Sequence, residues 1–427
     1  MTTPSTVTAT APATTPSADP TASPEAATPG APSSPPARFR AGEERAARIG
    51  RTLRVVAGVR ELDEGLMTRI GQGFGERDEL GARLADAMKL RAGEPGRVSM
   101  ADFRTALAGG VAAVEDPAPA LVDFFAAVEA TPDWVDWDLL AQGQRAYHRF
   151  GQNAADVLLQ LSLIGGYRFG GPADLLVATG GLTGQTTKRR LAETQTWTTS
   201  LSIPGGLEPY AEAWRLTVHV RAMHALVNAS FERSERWDSA QWGLPVNQTD
   251  QAATLGLFDA VVLIGVRGLG VPVSKADSRA VMHLWKYVGW LLGVDEEWLV
   301  DSERERHRIN YHVLRAQADV TPAGAELSRS IIEVLRGLPH GRFKVERTLS
   351  MLTVFLGRES MRDLGLPIRP PWAMAYVVPL NVWRYQVLGR TPWGTQRLDR
   401  WGHAVVERVM RDYSDDGRRH GVGELPT

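Results

Sequence analysis

Residues 214–231 read WRLTVHVRAMHALVNASF. Leu216, Val220, Met223 and Val227 recur at helical spacing and lay one apolar stripe along a helix. The same period appears in Leu121, Phe124, Phe125 and Val128, and it continues from Leu139 and Leu140 through Leu158, Leu159 and Leu161. Helix punctuation accompanies it. Pro172 opens a short segment closed by Gly180 and Gly181, Thr183 is placed to cap the next, and Pro209 stands in the first turn of the helix carrying Trp214 to Phe231. Alternating strand patterns and hairpin signals between these runs are lacking. The expectation is an all-α fold in one large domain, residues 38–427, because no Pro/Ser/Gly linker divides it and no repeat of solenoid period is visible.

Residues 1–37 are nearly all Thr, Pro, Ala, Ser and Gly, with Val7 the only branched aliphatic. They hold too little apolar surface to offset the entropy of ordering and read as a disordered tail. The first basic residue is Arg38, so no secretory or twin-arginine signal is visible, and a cytoplasmic location is expected. The longest apolar run, Ala252 to Val266, is broken by Asp259 and stopped by Arg267, so no membrane span is expected.

Of the 427 residues, 43% are hydrophobic and 23% charged, which secures globular order. Lys plus Arg number 48 against 49 acids, and the net charge of -1 gives no reason to propose a nucleic-acid or anionic-membrane partner. There is no cysteine. Disulfides, all-Cys zinc sites, cysteine-ligated clusters, thiolate-ligated haem and covalently attached c-type haem are therefore excluded.

Several apparent motifs fail on spacing. Gly71-Gln72-Gly73-Phe74-Gly75 lacks the third glycine of a dinucleotide fingerprint and reads as a loop, and the lysine of Gly180 to Lys188 does not stand where a P-loop needs it. No zinc-protease, di-iron or G-x-S-x-G signature is present. His219 and His224 share one helix five residues apart, so they point about 140° apart and cannot both face one metal. Periodicity does not choose between them. His307 and His312 lie in the charged stretch Asp301 to Arg315, which reads as a solvated face.

A set of blocks in fixed order carries the functional signal: Pro132-Asp133-Trp134-Val135-Asp136, then Ser162-Leu163 with Tyr167, then Arg190-Leu191-Ala192-Glu193-Thr194. His224 follows 30 residues after Thr194, then Trp242-Gly243-Leu244-Pro245, His283-Leu284-Trp285-Lys286-Tyr287, and Leu364-Gly365-Leu366-Pro367. Together they resemble the haem-dependent oxygenases typified by bacterial latex-clearing proteins (rubber oxygenases), with the fungal MpaB-type oxygenases as relatives.

The resemblance implies an all-α fold around noncovalent haem b, with His224 as the iron ligand and Arg221, one turn earlier, near a haem propionate. Ala222 and Ala225 are small enough to let a flat porphyrin approach the helix. A thiolate ligand is already excluded, in agreement. On the distal side the family pattern Arg-x-x-Lys-Thr maps onto Arg190 and Thr194, but Glu193 stands where latex-clearing proteins carry the lysine. The glutamate that serves those enzymes as base maps near Asp174, which leaves Glu193 and Asp174 as the candidate bases. The implied activity is attack of dioxygen on a small apolar, isoprenoid or olefinic substrate, with an electron donor as a further partner. Two other readings of the same scaffold are a peroxidase-like or dehydrogenating haem enzyme and a haem-binding or haem-sensing protein without turnover.

Overall fold

A computed structural model describes Met1, residues 34–180 and residues 185–413. Among the described residues there are α-helices, short 3-10 and π turns, and no strand, as the periodicity requires. The helices are α1 (Glu43–Ile49), α2 (Arg51–Ala57), α3 (Glu64–Gly73), α4 (Glu79–Lys89), α5 (Met100–Gly109), α6 (Pro119–Glu129), α7 (Trp137–Phe150), α8 (Gln152–Val157), α9 (Pro172–Ala178) and α10 (Gln185–Leu201). They continue with α11 (Glu212–Phe231), α12 (Ser239–Trp242), α13 (Gln248–Phe258), α14 (Ala260–Gly268), α15 (Lys275–Leu291), α16 (Glu303–Ala316), α17 (Pro322–Gly337), α18 (Gly341–Asp363), α19 (Trp372–Asn381) and α20 (Pro392–Tyr413).

The predicted stripe of α6 is wholly buried: Leu121, Phe124, Phe125 and Val128 all enter the main core. Pro172 does open α9, whereas α11 begins at Glu212, three residues after Pro209. The cap expected at Thr183 lies outside the described residues. So does most of the 1–37 tail, but its boundary moves. Pro36 is buried, and the N–H groups of Ala37 and Arg38 donate to the carbonyls of Ala240 and Gln241 at 2.9 and 3.0 Å.

Two readings change once packing is visible. Gly71 and Gly73 are helical, not loop: a Cβ on Gly73 would fall 2.5 Å from Thr249 Oγ1, so Gly73 admits α13 against α3. The charged stretch around His307 and His312 is solvated on one side only: Arg304, Glu305 and Arg308 are exposed. It forms α16, and Arg306, His307 and His312 are buried because each finds partners inside. Arg306 Nε donates to Asp259 Oδ2 at 2.8 Å, and His307 Nε2 meets Glu303 at 3.2 Å.

Asp259 also marks the break between α13 and α14, where its backbone leaves helical geometry. Residues Gln248–Gly268 are long and apolar enough for a membrane crossing by composition alone. Yet 67% of that window is buried inside the fold, and the buried ion pair interrupts it. Between α8 and α9 the chain widens into a π-helical turn, Leu158–Ile164, a departure that re-aims side chains and recurs at functional sites.

Candidate active site

The 20-residue helix α11 has two unlike faces. Trp214, Val218, Ala222, Ala225 and Ala229 are buried, and Ala225 and Ala229 meet Ala85 of α4. A Cβ on Gly81 would lie 3.1 Å from the Cβ of Ala225. Small residues are therefore used to bring α4 and α11 together. Ala222 and Ala225, expected to admit a flat porphyrin, are occupied by helix packing instead.

The opposite face carries the stripe Leu216, Val220, Met223 and Val227, together with His224, and all five are only partly buried. Nδ1 of His224 is buried without a hydrogen-bond partner. Burial lowers the imidazole below the usual histidine range, against the opposing pull of the Gln251 side chain and the Asp78 charge. A neutral imidazole with an unpartnered ring nitrogen on a partly exposed helix face has the chemistry of an iron ligand. In that respect His224 fits haem b. His219 points elsewhere, its ring 6.3 Å from that of Phe103.

Arg221 is not left free for a propionate. Its Nε and Nη2 donate to the two carboxylate oxygens of Asp78 at 2.6 and 2.7 Å, and both side chains are nearly buried. This bidentate pair joins α4 to α11 one turn before His224. Asp78 was not singled out in the sequence, since nothing local distinguishes it from other surface acids.

Helix α10 packs on α11, with Trp197 Nε1 donating to Thr217 Oγ1 at 3.0 Å. Glu193 is buried and accepts from Arg189 Nε at 2.9 Å. Arg189, one turn away on the same face, is thus the observed partner of Glu193. Arg190 is exposed, and its carbonyl accepts the Thr194 hydroxyl at 3.0 Å. Asp174 caps its own helix: Oδ2 accepts the Gly171 N–H at 3.0 Å and the Thr321 hydroxyl at 3.0 Å. Pro172 in the first turn leaves this end needing a cap, and a carboxylate at the third position supplies it.

A cavity of about 580 Å³ lies behind α10. Leu191, Thr194 and Thr198, on one stripe of α10, face the π-helical turn and Thr254 and Leu257 of α13 across it. Thr194 is the predicted site residue that reaches this wall; Asp174, Arg190, Glu193, Arg221 and His224 do not line it. Apart from Ser162, Tyr167 and Thr194, its polar groups were not singled out in the sequence. Arg168 lines the cavity and is pushed down to about 10 by burial and by the neighbouring Arg45, while the Tyr167 hydroxyl, the Asn310 Oδ1 and the Gln317 Oε1 are buried without partners.

Comparison with known proteins shows the family and the fold. Residues 148–390 match the family model described as "ER-bound oxygenase mpaB/B'/Rubber oxygenase, catalytic domain". A rubber oxygenase from Streptomyces sp. (strain K30) is 25% identical over 135 residues, which is 31% of this chain and 33% of that protein. The match therefore spans about a third of the curated relative. A structure of latex clearing protein LCP in the closed state shares the fold, with a TM-score of 0.64 at 20% identity over 82% of this chain and 92% of that one.

Proposed function

Because the chain belongs to the mpaB/B'/rubber oxygenase catalytic-domain family, we propose that it is a haem b-dependent oxygenase acting with dioxygen on an apolar isoprenoid or olefinic substrate. The observation that carries this reading is His224: a neutral imidazole with an unpartnered buried nitrogen on a half-open apolar helix face. Bound haem would supply the redox-active iron for dioxygen chemistry. His224 would hold that iron, and the Asp78–Arg221 pair fixes the backbone turn from which His224 projects.

The cavity beyond Thr194 gives the substrate a mostly apolar place. Glu193, held by Arg189, is the carboxylate of α10 closest in sequence to that wall and the candidate to take an allylic proton. Asp174 is already committed to its cap.

The test is an absorption spectrum of protein purified from haem-replete cells, followed by dioxygen uptake with squalene as olefinic probe. About one extractable haem b per chain and olefin-dependent uptake are expected. Haem-free protein would sink the reading, and haem without uptake would favour a binding or sensing role.

A further inference from the structure

The overall charge conceals a local concentration. From Leu364 to Leu398 there are four arginines (369, 384, 390 and 397), three tryptophans and no acidic residue. In α19, Ala373, Val377 and Asn381 recur every fourth residue and are buried, which accounts for the inner face. The outer face repeats the same period with apolar side chains. Trp372, Tyr376 and Leu380 are exposed there, and Trp383, Val387 and Trp393 extend the patch at 52%, 56% and 55% exposure. Seven of the exposed large apolar side chains on the described surface fall between residues 372 and 393. Phe343 of α18 joins them, its ring 5.9 Å from that of Trp372.

A helix that turns apolar side chains toward solvent over several turns leaves a face that water disfavours. Aromatic rings with polar edges and flanking arginines match the boundary between lipid headgroups and acyl chains. Glu346, one turn from Phe343, is paired with Arg369. Arg390 and Arg397 are exposed beside the patch, and Arg397 lies 5.1 Å from the centre of the Trp393 ring. One wall residue of the cavity lies on the same side. Val354, exposed and part of the cavity wall, stands eleven residues after Phe343 on α18, which at 100° per residue puts it about 20° off the same line and about 16 Å along the helix.

We propose that this face docks on an anionic phospholipid bilayer, with Trp372, Tyr376, Leu380, Trp383, Val387 and Trp393 in the headgroup boundary and Arg390 and Arg397 against lipid phosphates. Attachment is peripheral and needs no spanning segment. The docking stands independently of the haem reading. If that reading holds, it also presents the cavity rim to lipid-soluble substrates.

The test is flotation of the full chain with vesicles of phosphatidylcholine containing a quarter phosphatidylserine, compared with phosphatidylcholine alone. The protein should float with the anionic vesicles and bind less as salt rises. Trp383→Ser with Val387→Ser should lower the partition coefficient about tenfold or more, and Arg390→Gln with Arg397→Gln should lower it selectively for anionic vesicles. These side chains are exposed, so thermal midpoints should stay near that of the parent. Three results would overturn the proposal: protein that stays with the buffer, equal binding to both vesicles, or variants that float like the parent. A concentration-dependent dimer that the Trp383/Val387 variant dissociates, without vesicle binding, would assign the face to a second copy.

Discussion

The backbone N–H of Asp63 donates to Nε2 of His312 at 3.0 Å, while Nδ1 of the same ring is hydrogen-bonded to the Arg308 carbonyl at 2.8 Å. A ring nitrogen that accepts from an N–H carries no proton, so the buried ring is held neutral with its proton on Nδ1. His283 is locked likewise, Nε2 accepting from the Asp136 N–H at 2.9 Å. Burial pulls both rings below their usual range. The unfolded histidines protonate near about 6.5 while the folded ones resist. Stability should therefore be fully present above that pH and fall as pH drops toward the folded values, then level off. Urea midpoints at pH 7.5 and 5.5 check this, and His312→Gln should narrow the difference between them. A difference unchanged in that variant would refute the role of His312.

Asp78→Ala leaves Arg221 buried without its carboxylate. The expected cost is about 3 kcal/mol, since removing one partner of a buried pair strands the other charge. Replacing both, Asp78→Leu with Arg221→Met, should recover most of that loss. Denaturant titrations of the three variants measure it, and a single variant as stable as the parent would show the pair to be dispensable.

His224→Ala should lose haem or its normal Soret absorption, while His219→Ala, against Phe103, should keep both. The comparison is read by spectroscopy on matched preparations. The reverse pattern would mean that the ligand is the other histidine.

Glu193→Gln should keep haem yet lower turnover at least about 100-fold if the carboxylate moves the proton. A carboxylate is a weaker-field ligand than an amine, so the ferric resting form should be high-spin and should shift toward low-spin in Glu193→Lys. Unchanged turnover in Glu193→Gln would remove Glu193 from the chemistry. A low-spin resting form in the parent would contradict the spectroscopic expectation.

The helical period of Leu121 to Val128 and of residues 214–231 was enough for the fold class, because a repeat of 3.6 admits few alternatives. It was not enough to tell which stripe is core. The α6 stripe is sealed, whereas that of α11 is half open. Apolar side chains sealed in the core and apolar side chains left partly exposed look alike in one dimension. Charge was read less well: a run from Asp301 to Arg315 looked solvated, yet Asp259, 47 residues from Arg306, takes it inside.

The sequence alone determined that the chain is helical, that no thiolate can ligate a metal, and where the block containing His224 falls. Those properties depend on local period and residue type. Only the tertiary structure decided that Arg221 belongs to Asp78, 143 residues away. The strength of an ion pair depends on separation and burial, and neither exists until α4 and α11 close on each other across Gly81, Ala85 and Ala225.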